Sequence, residues 1–358
     1  MSAKARSLAV AVSAAALVLG AAPAAAACAN PTGGYQGFGK NTTGGAGKTI
    51  YRVTNLNDGG AGSLRDALSR GNRCVVFDVG GTIDLSRNLL VRGANVTIDG
   101  LTAPSPGITL KNATLVIQGN SGAGNVVLRG IRHRGAIDDG IRVFNTSNVV
   151  IDRVSVSGFG DGAVDVTENA RDVTLQWSIL GSGPAATNKA SLIAYHAVRV
   201  SVHHNLYASA ETRLPRCANT RGALPASELV CDVRNNVIWD FMSGTEVQQA
   251  ARANVVNNYY YSSMAYSPAH AIKVDLATSE AYVSGNYSQN GWDINRGNRA
   301  VAFDADVPAT TDAVTAAREV LARAGARGAR FGLDQTDQDY IGRITLTALH
   351  AEGAGLDK

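Results

Sequence analysis

Short runs of alternating apolar and polar residues recur along most of this chain, and the alternation is that of β-strands. The openings NVTIDG at Asn95, NVVLRG at Asn125, NVVIDRVSVSG at Asn148, DVTLQWSIL at Asp172, RVSVHHNLY at Arg199, DVRNNVIWD at Asp232, ANVVNNYYY at Ala253 and AYVSGNYSQ at Ala281 follow one plan. β-Branched residues stand at alternate positions, with Gly or Asn at the expected corners. Aligning Val96, Val126, Val149, Val173, Val200, Val233, Val255 and Val283 gives intervals of 30, 23, 24, 27, 33, 22 and 28 residues. That spacing signals a solenoid, and its unequal lengths predict loops on the outside of the coil.

One rung of such a coil cannot bury its own interior, whereas stacked rungs bury a continuous column of Val, Ile and Leu. The pattern therefore predicts a parallel β-helix from roughly residue 50 to 300, each turn adding short strands to long parallel sheets. Asn205, Asn235, Asn236, Asn257, Asn258 and Asn286 lie near strand ends, where they tolerate left-handed turns and can bond along the stack. Hairpin signals such as Asn-Gly, which a sandwich needs, are scarce. The period changes at both ends. GSLRDALSR reads as a short helix with Ser63 as N-cap and Leu64, Ala67 and Leu68 on one face. Beyond about residue 306, TDAVTAAREVLARAGARG reads as a helix with Val314, Ala317, Val320 and Leu321 on one face and Gly325 or Gly328 past its end. This extension, about 307–358, is expected to cover the sheet column or its open end.

Composition narrows the class without deciding it. Of 358 residues, 45% are hydrophobic and 17% charged, which suits a sizeable core and excludes global disorder. The formal charge of +4 permits an acidic partner without demanding one. Residues 1–27 read as a secretory signal, with Lys4 and Arg6 before an apolar run from Leu8 to Leu19 and cleavage expected before Cys28. The rival is a lipid-modified Cys28, for which Ala25 is a poor match. Residues 28–358 then form one exported domain, expected to be monomeric. Export favours disulfides. Cys28, Cys74, Cys217 and Cys231 allow three connectivities; local pairing favours Cys217–Cys231 and leaves Cys28–Cys74. Zinc is not expected, because no C-x-x-C pair exists.

The charged residues of the middle turns are the main chemical clue. Asp139 to Asp161 is 22 residues, Asp165 to Lys189 is 24, and Lys189 to Arg213 is 24, so these side chains are expected to stack on one face. On an extended strand Asp161 and Asp165 point the same way across Ala163. Clustered carboxylates without softer ligands suit a hard cation, Ca²⁺ above all. The bland alternatives are solvated aspartates and a structural Arg213 paired with Glu211. His203 and His204, adjacent on a strand, face opposite ways and read as structural. Asp138-Asp139 could instead be an acid pair for glycoside hydrolysis.

From GYQGFGKNTTGG at Gly34 to about Tyr261 the chain resembles polysaccharide lyase family one, the pectate and pectin lyases. The pieces that carry the resemblance are SLRDAL, VVFDVGGTIDL, NVTIDG, DDGIRV, NVVIDRVSVS, DGAVDVT, VTLQWSIL, VSVHHNLY, RLPR and RNNVIW, specific in their order rather than singly. The resemblance implies a right-handed parallel β-helix that cleaves polygalacturonate by β-elimination with Ca²⁺. It implies calcium ligands at Asp161, Asp165 and Asp139, with Asp138 standing in for a family carboxylate whose own position holds Ile137. It makes Lys189 the holder of the substrate carboxylate and Arg213 the catalytic arginine. The second arginine of the family motif falls on Ala218, leaving Arg216 and Arg221 as candidates for substrate binding. The alternatives are a metal-independent pectin lyase, a β-helical glycoside hydrolase, and a non-catalytic polysaccharide-binding β-helix.

Overall fold

The computed structural model describes residues 28–183, 188–219, 228–263, 270–289, 291 and 293–347. The expected signal segment, 1–27, and Arg221 lie outside the described residues. Among the described residues, three parallel sheets of ten, nine and nine strands run along the coil, from Thr49–Val53 to Asp293–Ile294. Each turn visits them in the same order, as in Val126–Arg129 of the first, Ile131–Ala136 of the second and Ile141–Phe144 of the third. The expected parallel β-helix is thus the architecture found.

The repeating valines are its interior. Val96, Val126, Val149, Val173 and Val200 are fully buried in one core cluster that continues to Ala281. They lie in register from turn to turn. At the next step the pattern misleads by two residues, because Val200 pairs with Cys231 and Val233 pairs with Val202. The interval is therefore 31, not 33. Val200 and Val202 both face inward, and a period of two cannot choose between them.

The turn from the first sheet to the second is the most regular part of the coil. Arg153, Trp177, His204, Asn235 and Asn257 occupy it on successive turns, each left-handed with φ between 49° and 55°. The residue that follows builds a ladder. The backbone N–H of Asn205 donates to Asn236 Oδ1 at 3.0 Å, that of Asn236 to Asn258 Oδ1 at 2.9 Å, and that of Asn258 to Asn286 Oδ1 at 2.9 Å. The left-handed turn at His204 also overturns one expectation. His203 and His204 do not face apart; their Nδ1 atoms lie 2.9 Å from each other. Burial holds both well below the usual imidazole range, His204 at about 4, so they are neutral structural groups.

The helices cover apolar surface the coil leaves open. In α1, Leu64–Ala67, Ser63 caps the N-terminus by accepting from Asp66 N–H at 3.2 Å, and Leu64, Ala67 and Leu68 join the main core. Asp312 caps α2, Ala313–Arg323, accepting from Val314 and Thr315 N–H. α3 follows at Gln335–Thr347. Ala313, Ala317, Val320, Tyr340 and Ile344 pack on Ile179, Leu206, Val237 and Tyr259, outward residues of the second sheet. The extension therefore lies on a flank of the column. The disulfides are Cys28–Cys74 and Cys217–Cys231, the pairing expected.

Candidate functional site

The polar residues singled out above gather where the chain enters the third sheet. Asp138 and Asp139 precede strand Ile141–Phe144, Asp161 precedes strand Val164–Thr167, and Asp165 lies within it. Carboxylate oxygens of Asp138, Asp139 and Asp161 come within 4.8 Å of one another. Asp161 and Asp165 do not share the face of one strand. The strand begins only at Val164, Ala163 is buried in the core, and Asp161 sits on the preceding turn. Gly162 lets the two halves of the cluster converge: a Cβ there would stand 2.6 Å from Asp165 Oδ1 and 2.9 Å from Asp139 Oδ1.

The electrostatics of this cluster ask for a cation. Asp139 is buried, and its Oδ1 has no hydrogen-bond partner. Burial, then the Asp165, Asp138 and Asp161 charges, push its carboxyl up to about 8. Burial pushes Asp165 up to about 7, against the opposing pull of a 2.9 Å hydrogen bond from Leu192 N–H and of the Arg213 charge. Three clustered carboxyls, one orphaned oxygen among them, with Asp165 across the side-chain-free space at Gly162, fit a hard, oxygen-loving divalent ion such as Ca²⁺.

Lys189 and Arg213 occupy the next two turns. The backbone pairs Gly162 with Lys189 and Lys189 with Thr212, so Lys189 is level with Gly162 and not with Asp165. Its Nζ lies 4.0 Å from Asp161 Oδ1. Between Lys189↔Thr212 and Leu192↔Arg216 the register offset grows from 23 to 24 residues. The segment thus holds one residue more than its neighbour, and within it Arg213 is left-handed with φ 61°. An extra residue of this kind re-aims a side chain out of the ladder. Arg213 Nε is buried without a hydrogen-bond partner. Among the described residues no carboxylate lies within ion-pair distance of it, which removes the Glu211 pairing.

Arg216 is held differently. Its Nε donates to Glu246 Oε2 at 2.7 Å, and Ser243 Oγ donates to Glu246 Oε1 at 3.0 Å. Ile137, in place of the family carboxylate, is 80% exposed beside the cluster. Three participants escaped sequence reasoning. Gly162 was visible as the residue between Asp161 and Asp165. Arg142, 4.0 Å from both Asp139 Oδ2 and Glu168 Oε1, follows Asp139 by three residues in DDGIRV. Glu246 had no signal, because the fold alone puts it one turn beyond Arg216.

No family model matches the chain. The chain is similar to a probable pectate lyase C of Aspergillus terreus, 34% identical over 271 residues, which cover 71% of this chain and 59% of that protein. The chain thus spans about three fifths of the length of this curated relative. Among solved structures it is similar to jun a 1, the major cedar pollen allergen, with TM-score 0.67 and 20% identity over 81% of this chain and 92% of the other. It is also similar to a Bacillus sp. N165 pectate lyase in complex with trigalacturonate, with TM-score 0.62 and 20% identity over 82% of this chain and 98% of the other.

Proposed function

We propose, from its likeness to a probable pectate lyase C, that this chain is a member of polysaccharide lyase family one: an exported, monomeric, single-domain lyase that cleaves polygalacturonate by calcium-assisted β-elimination. The observation that carries the proposal is the cluster of Asp138, Asp139 and Asp161, with Asp165 facing Asp139 across Gly162, and Lys189 and Arg213 on the next two turns.

Asp138, Asp139, Asp161 and Asp165 hold the calcium in this reading. When bound there, Ca²⁺ supplies positive charge to a uronate carboxylate, stabilising the negative charge that builds on it and acidifying the adjacent C5–H. Lys189 Nζ, on the neighbouring turn, holds that carboxylate as a flexible point charge. Arg213 accepts the C5 proton. The C4–O4 bond then breaks, a C4=C5 double bond forms, and the departing O4 is protonated from solvent. An arginine is ordinarily always cationic. Arg213→Lys, which keeps the positive charge, tests that role. Arg213 Nε is buried without a hydrogen-bond partner. Arg216, tied to Glu246, orders the turn beside Arg213 and presents its remaining donors to substrate; Arg221 is a second candidate for that contact.

A metal-free pectin lyase has no use for the carboxylate cluster, and a glycoside hydrolase leaves only new reducing ends. The test is ultraviolet-monitored cleavage of polygalacturonate with Ca²⁺ and with chelator. An unsaturated, absorbing product that appears only with Ca²⁺ is the expected result. Reducing ends without absorbance would overturn it. Export is checked by the mature N-terminus, expected at Cys28, and the monomer by sedimentation.

A further inference from the structure

The outward positions of the third sheet form a straight row along the coil. Arg142, Asp165, Leu192, Arg216, Glu246 and Lys273 follow one another in register. Their inward neighbours, among them Val143, Val166, Ile193, Val247 and Val274, lie in the main core, which fixes the row as outward-facing. Strands of one sheet stand ~4.8 Å apart, so Lys273 lies roughly 10 Å beyond Arg216 and roughly 19 Å beyond Asp165 on the same face.

Lys273 is exposed, unlike the other members of this row. Among the described residues no carboxylate is within ion-pair distance of it. Its register partner, Glu246, is 3% exposed and already accepts from Arg216 and Ser243. His270, three residues back on the same strand, is matched instead with Asp293 at 3.3 Å. The row therefore ends in an uncommitted ammonium, in line with the cluster and well separated from it.

We infer that Lys273 is a distal subsite for a uronate carboxylate, engaged by substrate chains long enough to run from the carboxylate cluster along the third sheet. The inference rests on the polygalacturonate reading above and extends it to chain length. A polyuronate carries one carboxylate per sugar, so a chain lying along the row brings a negative charge to Lys273, whereas a trimer held at the cluster ends before reaching it. The long, flexible lysine suits a solvated carboxylate whose position varies. An exposed pair of this kind changes affinity only a fewfold.

The experiment measures dissociation constants for trigalacturonate and for polygalacturonate, with Ca²⁺, in wild type, Lys273→Met and Lys273→Glu. Lys111→Met, an exposed lysine of the second sheet, is the charge-matched control. Lys273→Met is expected to weaken polygalacturonate binding about threefold, and Lys273→Glu further, with trigalacturonate and the control unchanged. Unchanged polymer binding in Lys273→Glu, or equal losses for trimer and polymer, would overturn the subsite. Because binding is the readout, a wild type that binds polymer without forming unsaturated product would sink the lyase reading and leave the subsite to be decided by the same constants.

Discussion

Two corners of this coil use the same rung spacing for opposite ends. At the corner between the first and second sheets, Asn205, Asn236, Asn258 and Asn286 repeat one side chain and bond to one another. At the corner between the second and third, the side chain changes from Asp139 and Asp161 to Lys189 and then Arg213, and Asp139 Oδ1 and Arg213 Nε have no partner. A buried polar group is normally satisfied, and leaving one unsatisfied is costly. The asparagine corner obeys that rule and stabilises the stack. The charged corner breaks it, and the orphaned atoms are those a cation and a substrate would satisfy.

The sharpest way to separate the corners is Arg213→Lys. Lysine keeps the charge, so a group acting only by charge would survive the change. A group that accepts a proton should lose turnover by roughly 10²–10⁴-fold while substrate still binds. Steady-state kinetics check it against Lys189→Ala, which should mainly raise the Michaelis constant. Near-normal turnover in Arg213→Lys would remove Arg213 from the mechanism.

Asn236→Ala attacks the other corner. Asn236 is fully buried, accepts from Asn205 and donates to Val202 O and Asn258 Oδ1. Its loss strands several buried groups and should cost about 3 kcal/mol in urea unfolding. Turnover per folded molecule should stay within twofold of wild type. A large loss of turnover without loss of stability would erase the distinction between the corners.

Gly162→Ala and Asp165→Asn sharpen the calcium assignment. The alanine methyl would occupy the space between Asp139 and Asp165. The amide removes a charged ligand, worth ~1.5–3 kcal/mol, or roughly ten- to a hundredfold in affinity. Both variants should fold, need more Ca²⁺ for half-maximal activity, and recover in part at high Ca²⁺. Normal activity of both in chelator would remove these carboxyls from any calcium requirement.

The smallest effect concerns pH. Asp139 and Asp165, pushed up to about 8 and about 7, hold protons in the calcium-free fold that the unfolded chain would release near pH 4. Their contribution to stability is present at low pH and is lost as pH rises through 7 and 8. Calcium-free protein should therefore lose thermal stability between pH 6 and 9, and added Ca²⁺ should restore more of it at pH 9 than at pH 6. Thermal melts at both values check this; a calcium shift independent of pH would show that the ion does not displace these protons.

The alternation and spacing of Val, Ile and Asn by themselves determined the parallel coil, its limits near residues 50 and 300, the helix after Asp312 and the set of charged residues worth testing. These are local patterns, and a repeat compels neighbours to stack because one rung cannot bury its interior. Only the tertiary structure decided what the spacing left open. It moved the pairing of Val233 from Val200 to Val202, since alternate inward valines are interchangeable to a pattern of period two. It placed Lys189 level with Gly162, made Gly162 the space between two carboxyls, and put Glu246 against Arg216. Those relations depend on register between turns more than twenty residues apart. Loop length and an extra residue near Arg213 set that register, and neither leaves a mark on the alternation of the strands themselves.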